Sequence, residues 1–312
     1  MLGLDLGLAA AGRLTWWPEG ACWAADFANQ RYMRRADPIA AAAAFSFTRE
    51  SAKWAADRAG VWHEFAPDAP ARTNAGISIE PAGANLVPNP GLVGAVVGVH
   101  GAGGSLPTGW YHNGPLTTEI MAITTLLGLP ALHVKAHGVA AGAFYELVTM
   151  PNTTPLEPGT AYSISLYTAM LTGAAPALEL RQAASNDSLI GVNLLTPAAN
   201  AAPGRSTLSL TTAAGTARAR LRLSYALIIG QPYLFEFLVA VPQIELGSRV
   251  TSPLLEARAA DALTLQFEDE DQRATLELDN GTQVELAAPA TTLAVPLNLA
   301  RPVLRRVVAT PA

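Results

Sequence analysis

Two short signatures bracket the middle of the chain and constrain its fold more than any other feature. The first is NLVPNP at residues 85–90, and the second is PQIELG at residues 242–247. Between them, short stretches alternate apolar with polar side chains, as at residues 161–167 and 218–223. Period-two alternation is typical of strands with one buried face. The bracket therefore predicts one β-sandwich, opened by the first signature and closed by the second.

Further short strands are predicted throughout this bracket. They lie near residues 119–126, 131–137, 143–149, 177–182, 188–194, 206–211 and 233–239. The chain also carries 26 Gly and 23 Pro, as an all-β protein with many turns requires. We therefore predict an all-β chain whose central region, residues 86–255, is a β-sandwich or jelly roll.

The two flanks of the sandwich are predicted to be separate elements. Residues 1–50 lack a strand rhythm and are rich in aromatic side chains, which indicates an irregular N-terminal arm. Its aromatic residues include Trp16, Trp17, Trp23, Phe27 and Tyr32. They either pack on their own domain or bury against another subunit, as docking anchors do. Residues 51–85 are predicted to be a connector, and residues 256–312 a small C-terminal β unit.

The hairpin in the C-terminal unit can be assigned a register. The Asn-Gly dipeptide that ends at Gly281 is typical of a two-residue turn, which would pair Leu276 with Glu285. A three-residue loop at residues 279–281 pairs Leu276 with Val284 instead and makes one face wholly apolar. Because a slip of one residue moves every side chain to the other face, burial favours the longer loop. Gly281 then takes a left-handed bulge conformation.

Composition excludes several classes of function. The net charge is −5, so no nucleic-acid partner is expected. Cys22 is the single cysteine, so neither an internal disulfide nor a Cys-rich metal site is expected. No apolar run reaches the roughly 18 residues of a membrane helix, and the start of the chain lacks the basic region of a signal peptide. We expect a protein made in the bacterial cytoplasm, without membrane insertion.

No catalytic constellation is recognisable. A glycan hydrolase needs two carboxylates at a set separation, and the acidic residues of the central region show no such pairing in sequence. They are Glu119, Glu146, Glu157, Glu179, Asp187, Glu236 and Glu245. The glycine-rich residues 101–104 lack the Lys-Ser/Thr of a phosphate loop. The sequence therefore predicts no enzymatic activity and no catalytic residue, although a carboxylate pair assembled only by folding stays open.

Neither a metal site nor a cofactor is predicted. His133 and His137 could share a metal on a helix, but this stretch is predicted as a strand. There the two side chains would lie about 13 Å apart on one face. The acidic run at residues 268–271 lacks the spaced oxygens of a calcium loop and is predicted to be a solvated turn.

One loop carries chemistry suited to sugar recognition, which needs a flat aromatic ring and a few fixed polar groups. The candidate ligand-binding residues are Trp110, Tyr111, His112 and Asn113, with polar contacts from Asn186, Asp187 and Asn193. Trp110 could instead be a core residue. Arg218, Arg220 and Arg222 share one strand face, which either grips an acidic polysaccharide or is simply solvated.

Residues 45–86 resemble a connector found in many bacteriophage tail, fibre and spike proteins. Its usual form is a Phe-x-Arg-Ala-Ser start, an Asp-x-x-Gly turn and a Gly-(hydrophobic)-x-(hydrophobic)-Glu-x-Ala-x-x-Asn-Leu end. The matching stretches are FTRES at residues 47–51, DRAG at residues 57–60 and GISIEPAGANL at residues 76–86. Glu50 stands in place of the usual Ala, and Thr73 and Asn74 replace an aspartate-rich piece.

The bracketed region resembles carbohydrate-binding modules of the galactose-binding-like jelly-roll class. The matching pieces are NLVPNP, then PTGW at residues 107–110, AYSISLY at residues 161–167, and PQIELG with TSP at residues 251–253. The closing strand has the form found in phage particles. Such modules often hold a structural calcium near the first and last strands, for which Asn89 and Glu245 are the nearest candidates. The acidic residue expected after the opening Asn is absent from residues 90–93, so no calcium is predicted.

Together the two resemblances imply a structural adhesin of a phage or gene-transfer-agent-like particle. It would be a head spike, fibre or tail-tip protein on the particle surface that binds host surface polysaccharide. Other particle proteins would dock on the N-terminal arm. A homo-oligomer, trimer or pentamer, is expected because weak single sites gain by avidity. The alternatives are an assembly or spacer protein without glycan binding and, third, a polysaccharide-degrading enzyme.

Overall fold

The computed structural model describes residues 17–195, 202–269, 272–288 and 290–312. The expectations for Trp16, for the start of the chain and for residues 270–271 lie outside the described residues. Within them the regular secondary structure is almost entirely β-strand, with one single-turn helix, α1, at Ala41–Ala44. No helix in this part of the chain is long and apolar enough to cross a membrane. The all-β class is confirmed.

Short strands make up the first part of the chain. They are β1 Trp23–Asp26, β2 Arg31–Arg34, β3 Asp37–Pro38, β4 Phe45–Thr48, β5 Lys53–Ala56, β6 Trp62–Phe65, β7 Arg72–Thr73 and β8 Gly76–Ser78. Three further short strands, and then longer ones, follow in the middle. They are β9 Gly98–His100, β10 Gly103–Gly104, β11 Tyr111–Asn113, β12 Thr117–Leu126, β13 Leu129–Val139, β14 Phe144–Pro155, β15 Ala161–Thr172, β16 Ala177–Ala183, β17 Leu189–Leu195, β18 Gly204–Thr211, β19 Arg218–Ala226 and β20 Pro232–Leu246. The last part contains β21 Ala262–Gln266, β22 Gln272–Leu278, β23 Gln283–Ala288, β24 Thr292–Ala294 and β25 Val303–Pro311.

The described chain divides into two compact units. The split unit comprises residues 17–49, 67–81 and 261–312, and the sandwich unit comprises residues 50–66 and 82–260. This division differs from the expected one, because the N-terminal segment and the C-terminal strands belong to a single unit. The connector is also shared, since residues 50–66 belong to the sandwich unit and residues 67–81 to the split unit.

Two antiparallel sheets form the sandwich unit. The back sheet has the strand order β10-β9-β12-β13-β20-β15-β18, and the front sheet has the order β11-β14-β19-β16-β17. Their facing sides meet in one apolar core that includes Ile120, Val134 and Phe237 from the back sheet and Leu180 and Leu221 from the front sheet. Two sheets packed over a shared core form a β-sandwich, as the alternating pattern predicted.

The signatures that bracket the sandwich form a hydrogen-bonded clasp around Asn85. Its amide nitrogen donates to the carbonyl oxygens of Pro242 and Leu254, at 2.9 and 3.1 Å. Its amide oxygen accepts from the backbone N–H groups of Val87 and Ile244, at 3.0 Å each. One side chain therefore joins the opening segment to the closing strand, which explains why the two signatures occur together.

The split unit has a core of its own. One sheet has the order β23-β22-β25-β1-β2-β3, with β8 also paired to β25 and β7 to β8, and a smaller sheet has the order β24-β21-β4. Strand β1 pairs along its whole length with β25, from Trp23 opposite Ala309 to Asp26 opposite Arg306. The first described residues therefore form strands of a folded unit, in place of the irregular arm that the sequence predicts.

The aromatic residues of this segment are buried within the split unit. Trp23 is 1% exposed, Phe27 0% and Tyr32 6%. Phe27 contacts the rings of Tyr32 and Phe45 edge-on, with centroids 5.9 and 5.4 Å away. Of the two expectations for these rings, packing on their own domain is the one that the structure shows.

The C-terminal hairpin adopts the register with the three-residue loop. Leu276 lies opposite Val284 and Ala274 opposite Leu286. Gly281 has a φ of +83°, in the left-handed region. Leu276 is fully buried, so burial of one face selects the longer loop over the two-residue turn. The register prediction is confirmed.

The core of the split unit contains a buried ion pair. Arg49, the arginine of the FTRES stretch, lies 3.2 Å from Asp261, and both side chains are 0% exposed. Asp261 also accepts a hydrogen bond from the backbone N–H of Glu80, at 2.7 Å. Three chain segments that are far apart in sequence, around Arg49, Glu80 and Asp261, thus meet at the Asp261 carboxylate. Removing one partner of such a pair would leave an uncompensated buried charge.

Candidate functional site

The outer side of the back sheet is partly covered by a hairpin of the same unit. Strands β5 and β6 pair antiparallel, and Trp62 packs its ring edge-on against Tyr167 of β15, with centroids 6.1 Å apart. The turn of this hairpin is held by Asp57, whose carboxylate accepts the backbone N–H groups of Ala59 and Val61. The Asp-x-x-Gly stretch is therefore a turn motif. The hairpin that it closes covers part of the outer side of the back sheet and shields it from solvent.

The outer side of the front sheet carries a continuous array of polar and aromatic side chains, here called the front face. It is built from residues that alternate with the buried residues of β11, β14, β16 and β19. Its members are Tyr111, Asn113, Phe144, Glu146, Glu179, Arg181, Arg218, Arg220, Arg222 and Ser224. The inward-facing partners Leu221 and Leu223 are fully buried.

An ion-pair network occupies the centre of the front face. Arg222 lies between two carboxylates: it contacts Glu146, and its Nε donates to Glu179 at 2.9 Å. Arg220 lies 3.5 Å from the other oxygen of Glu146, which also accepts a hydrogen bond from Asn113 at 2.7 Å. Glu146 is 2% exposed and Arg222 14%. The network therefore fixes these side chains in place before any ligand arrives.

Burial lowers the pKa of the Arg222 guanidinium, yet an arginine remains protonated in proteins. Glu146 and Glu179 thus both face a fixed positive charge. A glycosidase needs one of its two carboxyl groups to act as a general acid, whereas Glu146 and Glu179 are both engaged in ion pairs with the Arg222 guanidinium.

Two aromatic rings lie along one edge of the front face. Tyr111 is half-buried, and its hydroxyl lies 3.5 Å from the guanidinium of Arg220. Phe144, at the start of β14, is 51% exposed and shares a strand face with Glu146. Exposed aromatic rings beside fixed hydrogen-bonding groups are what a sugar ring requires, since its apolar face stacks and its hydroxyls donate and accept.

Residues 110–113, which the sequence presents as one candidate site, point to two different sides of the front sheet. Trp110 is 5% exposed and lies in the core of the sandwich, so its ring is not available to a ligand. His112 points inward, 5.1 Å from the ring of His100 and 6.1 Å from that of Tyr145. Burial, with a smaller contribution from His100, lowers the pKa of His112. Tyr111 and Asn113 are the two members of this loop that reach the front face.

The predicted polar residues Asn186, Asp187 and Asn193 do not all lie on the front face either. Asp187 lies in the exposed turn between β16 and β17 and pairs with Arg218 at 2.9 Å, beside the front face. Asn186 lies in the same turn and accepts a hydrogen bond from the backbone N–H of Ser188. Asn193 lies on the side of β17 that faces away from the front face, where it accepts a hydrogen bond from Gln182 at 2.6 Å. Asp187 is thus the member of this group that contacts a front-face residue.

The residues considered for metal binding have other partners. Asn89 bonds to the backbone of Val93 and Thr108, and Glu245 accepts from Gln243 and Thr251. His133 contacts Glu236 at 2.8 Å, and His137 lies 3.9 Å from Glu119. The described residues contain no group of three or more His, Cys, Asp or Glu placed to hold a metal ion.

Sequence reasoning missed five contributors to the front face, namely Phe144, Glu146, Glu179, Arg181 and Ser224. Strand alternation was the signal that could have found them, because Tyr145 and Leu147 are apolar neighbours of Glu146, and Leu180 precedes Arg181. The pairing of β14 with β19 and of β19 with β16 could not be read from one sequence. Without it, nothing shows that these residues share a surface with Tyr111.

No family model and no curated protein matches the chain. Among solved structures, the CBM22-1 xylan-binding domain of Paenibacillus barcinonensis Xyn10C is similar over 55% of this chain and 99% of its own, with 15% identity and a TM-score of 0.36. The N-terminal cellulose-binding domain of Cellulomonas fimi β-1,4-glucanase C is similar over 46% of this chain and 91% of its own, with 18% identity and a TM-score of 0.30.

A third similar structure comes from a virus. It is the enzymatically active domain of tailspike protein 4 of Bacteriophage CBA120, with 12% identity and a TM-score of 0.32 over 45% of this chain. The chain spans only 20% of that tailspike domain. Values this low assign neither a ligand nor an activity, so the fold assignment rests on the sheets, their registers and their shared core.

Proposed function

We propose that the protein binds polysaccharide on the front face and serves as a structural attachment protein of a phage-like particle. The observation that carries the binding proposal is the combination of Tyr111 and Phe144 with a fixed ionic network on one open sheet surface. Rings and polar groups thus lie on the same side of the same sheet, where an extended glycan can contact both.

The network favours binding because its side chains are already ordered. Immobilising a flexible side chain on binding costs about 0.5–1.5 kcal/mol. Arg222, Glu146 and Glu179 are held by one another, so little of this cost remains when a ligand binds. A pre-organised surface of this kind suits a weak, repeated contact with a long polymer.

The particle role is supported by the sequence resemblances. The connector and the closing strand have the form found in phage tail, fibre and spike proteins, and Arg49 of the connector forms a buried ion pair with Asp261, which follows the closing strand in the chain. We propose a surface position on the particle and a symmetric homo-oligomer, trimer or pentamer. Host surface polysaccharide would be the partner of the front face.

A glycan-binding assay on the whole protein tests the binding proposal. Tyr111→Ala and Phe144→Ala should each weaken binding to host capsular polysaccharide roughly tenfold, or about 1.4 kcal/mol, because each removes a ring that stacks on sugar. Phe65→Ala is the matched control, since Phe65 lies on the hairpin strand β6, away from the front sheet. Its affinity should equal that of the unchanged protein.

Two results would contradict the binding proposal. If the unchanged protein binds no surface polysaccharide of its host, the alternative of an assembly or spacer protein gains support. If binding is retained in both aromatic variants and lost in the control, the ligand lies elsewhere. Native mass spectrometry in the presence of neighbouring particle proteins tests the oligomer, and a monomer under all conditions would contradict the particle role.

A further inference from the structure

Two arginines of the front face lie directly opposite each other on adjacent strands. Arg181 of β16 is the register partner of Arg220 of β19. Like charges in directly opposed positions of a sheet destabilise it. An arrangement of this kind is favourable when a third group of opposite charge lies between the two guanidinium groups.

The neighbouring carboxylates are already engaged with other arginines. Glu179 pairs with Arg222, and Glu146 pairs with Arg222 and, at 3.5 Å, with Arg220. Asp187 pairs with Arg218 at 2.9 Å. Among the described residues, no carboxylate forms an ion pair with Arg181. Four arginines thus face three acidic residues, and the excess positive charge lies at Arg181.

A depression in the surface adjoins these two arginines. It is lined by Arg181, Ala183, Asp187, Leu189 and Arg220 and has a volume of about 200 Å³. Pockets for drug-sized ligands are larger, at about 300–1,000 Å³, so the depression suits a single sugar residue of a polymer. Ala183 has a short side chain, and Leu189 is 53% exposed, which gives the depression an apolar rim beside its charged wall.

We infer that this depression binds the carboxylate or sulfate group of an acidic sugar residue. The inference rests on the proposed function and specifies its ligand class, an anionic polysaccharide. Guanidinium groups bind carboxylate and sulfate oxygens through paired N–H donors, and an anion between Arg181 and Arg220 offsets their mutual repulsion. The single acidic residue of the lining, Asp187, has its charge offset by Arg218.

Paired polymers that differ only in charge test this inference. The probes are polygalacturonate with its fully methyl-esterified form, and dextran sulfate with dextran. The whole protein should bind the charged member of at least one pair at least tenfold more tightly, and added salt should weaken that binding. Arg181→Gln should remove most of the preference. Arg35→Gln makes the same change in net charge on an exposed residue of the split unit and should leave the preference intact.

The outcomes separate the two proposals. If the neutral members bind as tightly as the charged members, and Tyr111→Ala weakens both, glycan binding stands and the anionic ligand class is overturned. If charged members bind but Arg35→Gln weakens them as much as Arg181→Gln, bulk charge explains the preference and the depression does not. If neither these polymers nor host polysaccharide bind, the proposed function fails and this inference fails with it.

Discussion

At the scale of single residues, Asn85 has the clearest structural role. Its amide makes two donor and two acceptor contacts with the backbone of the opening and closing segments. Only Asn and Gln supply two donors and an oxygen that accepts twice from one planar group, and the shorter Asn side chain keeps that group close to its own backbone. The paired signatures therefore report a structural clasp and carry no information about the ligand.

Asn85→Ala should lower the stability of the sandwich unit by about 3 kcal/mol, because four hydrogen bonds of roughly 0.5–1.5 kcal/mol each are lost. Asn85→Asp keeps the acceptor but sets an anion against two carbonyl oxygens, so it should be at least as harmful. Hydrogen exchange of the β20 amides would measure the change. Asn186→Ala, in an exposed turn, is the control and should change stability by less than about 0.5 kcal/mol. An equal effect of the two alanine variants would contradict the clasp.

The sequence predicts residue chemistry better than residue position. Tyr111 and Asn113 reach the front face, but Trp110 is in the core, because successive side chains of an extended segment point to opposite sides. The sequence also presents Arg218, Arg220 and Arg222 as a uniform ladder. In the structure each of the three forms an ion pair with an acidic residue from another strand or turn, and such pairing depends on a topology that one sequence does not reveal.

At the scale of elements, long strands with clear alternation are predicted well and short strands are not. All the strands predicted within the bracket are present, and β19 buries Ala219, Leu221 and Leu223 as expected. Strands β1 and β2 were missed. Each is four residues long. All four residues of β1 are buried, and its partner β25 lies far away in the sequence. A strand buried on both faces shows no alternation to detect.

The hairpin of β22 and β23 gives a prediction for a single backbone position. Gly281→Val should destabilise the split unit by about 1–2 kcal/mol, because a β-branched residue is strained in the left-handed conformation. A Cβ at this position would meet no atom within 4 Å, so the cost comes from the backbone alone. Gly281→Asn, which tolerates that conformation, should cost less.

Hydrogen exchange of the β22 and β23 amides measures this effect separately from the sandwich unit. The β13 and β20 amides of the same variant should keep their protection. If Gly281→Asn and Gly281→Val prove equally destabilising, the left-handed requirement at the loop is refuted.

At the scale of the whole molecule, the split unit depends on both ends of the described chain. Its central strand β25 pairs with β1, β8 and β22. Ending the chain at Ala260 should therefore unfold residues 17–49 and 67–81, because β1 and β8 lose their partner and Arg49 loses Asp261. The sandwich unit retains all of its own residues and should stay folded.

Limited proteolysis followed by mass spectrometry checks this expectation. Cleavage in the truncated protein should concentrate within residues 17–49 and 67–81, and residues 82–260 should remain resistant. Protection of the first segment in the truncated protein would show that it folds without the C-terminal strands.

The points at which the chain enters and leaves the sandwich unit have a mechanical consequence. Gly83 and Arg258 form a β-bridge, and the N–H of Ala259 donates to the Ser51 hydroxyl at 2.8 Å. These crossing points are therefore neighbours in space. Tension applied at these crossing points pulls on adjacent segments together. Tension applied at two distant points of a sheet would instead separate its strands one hydrogen bond at a time. A load applied to the chain at these crossing points would thus be shared across the adjoining segments instead of unzipping the sandwich unit strand by strand.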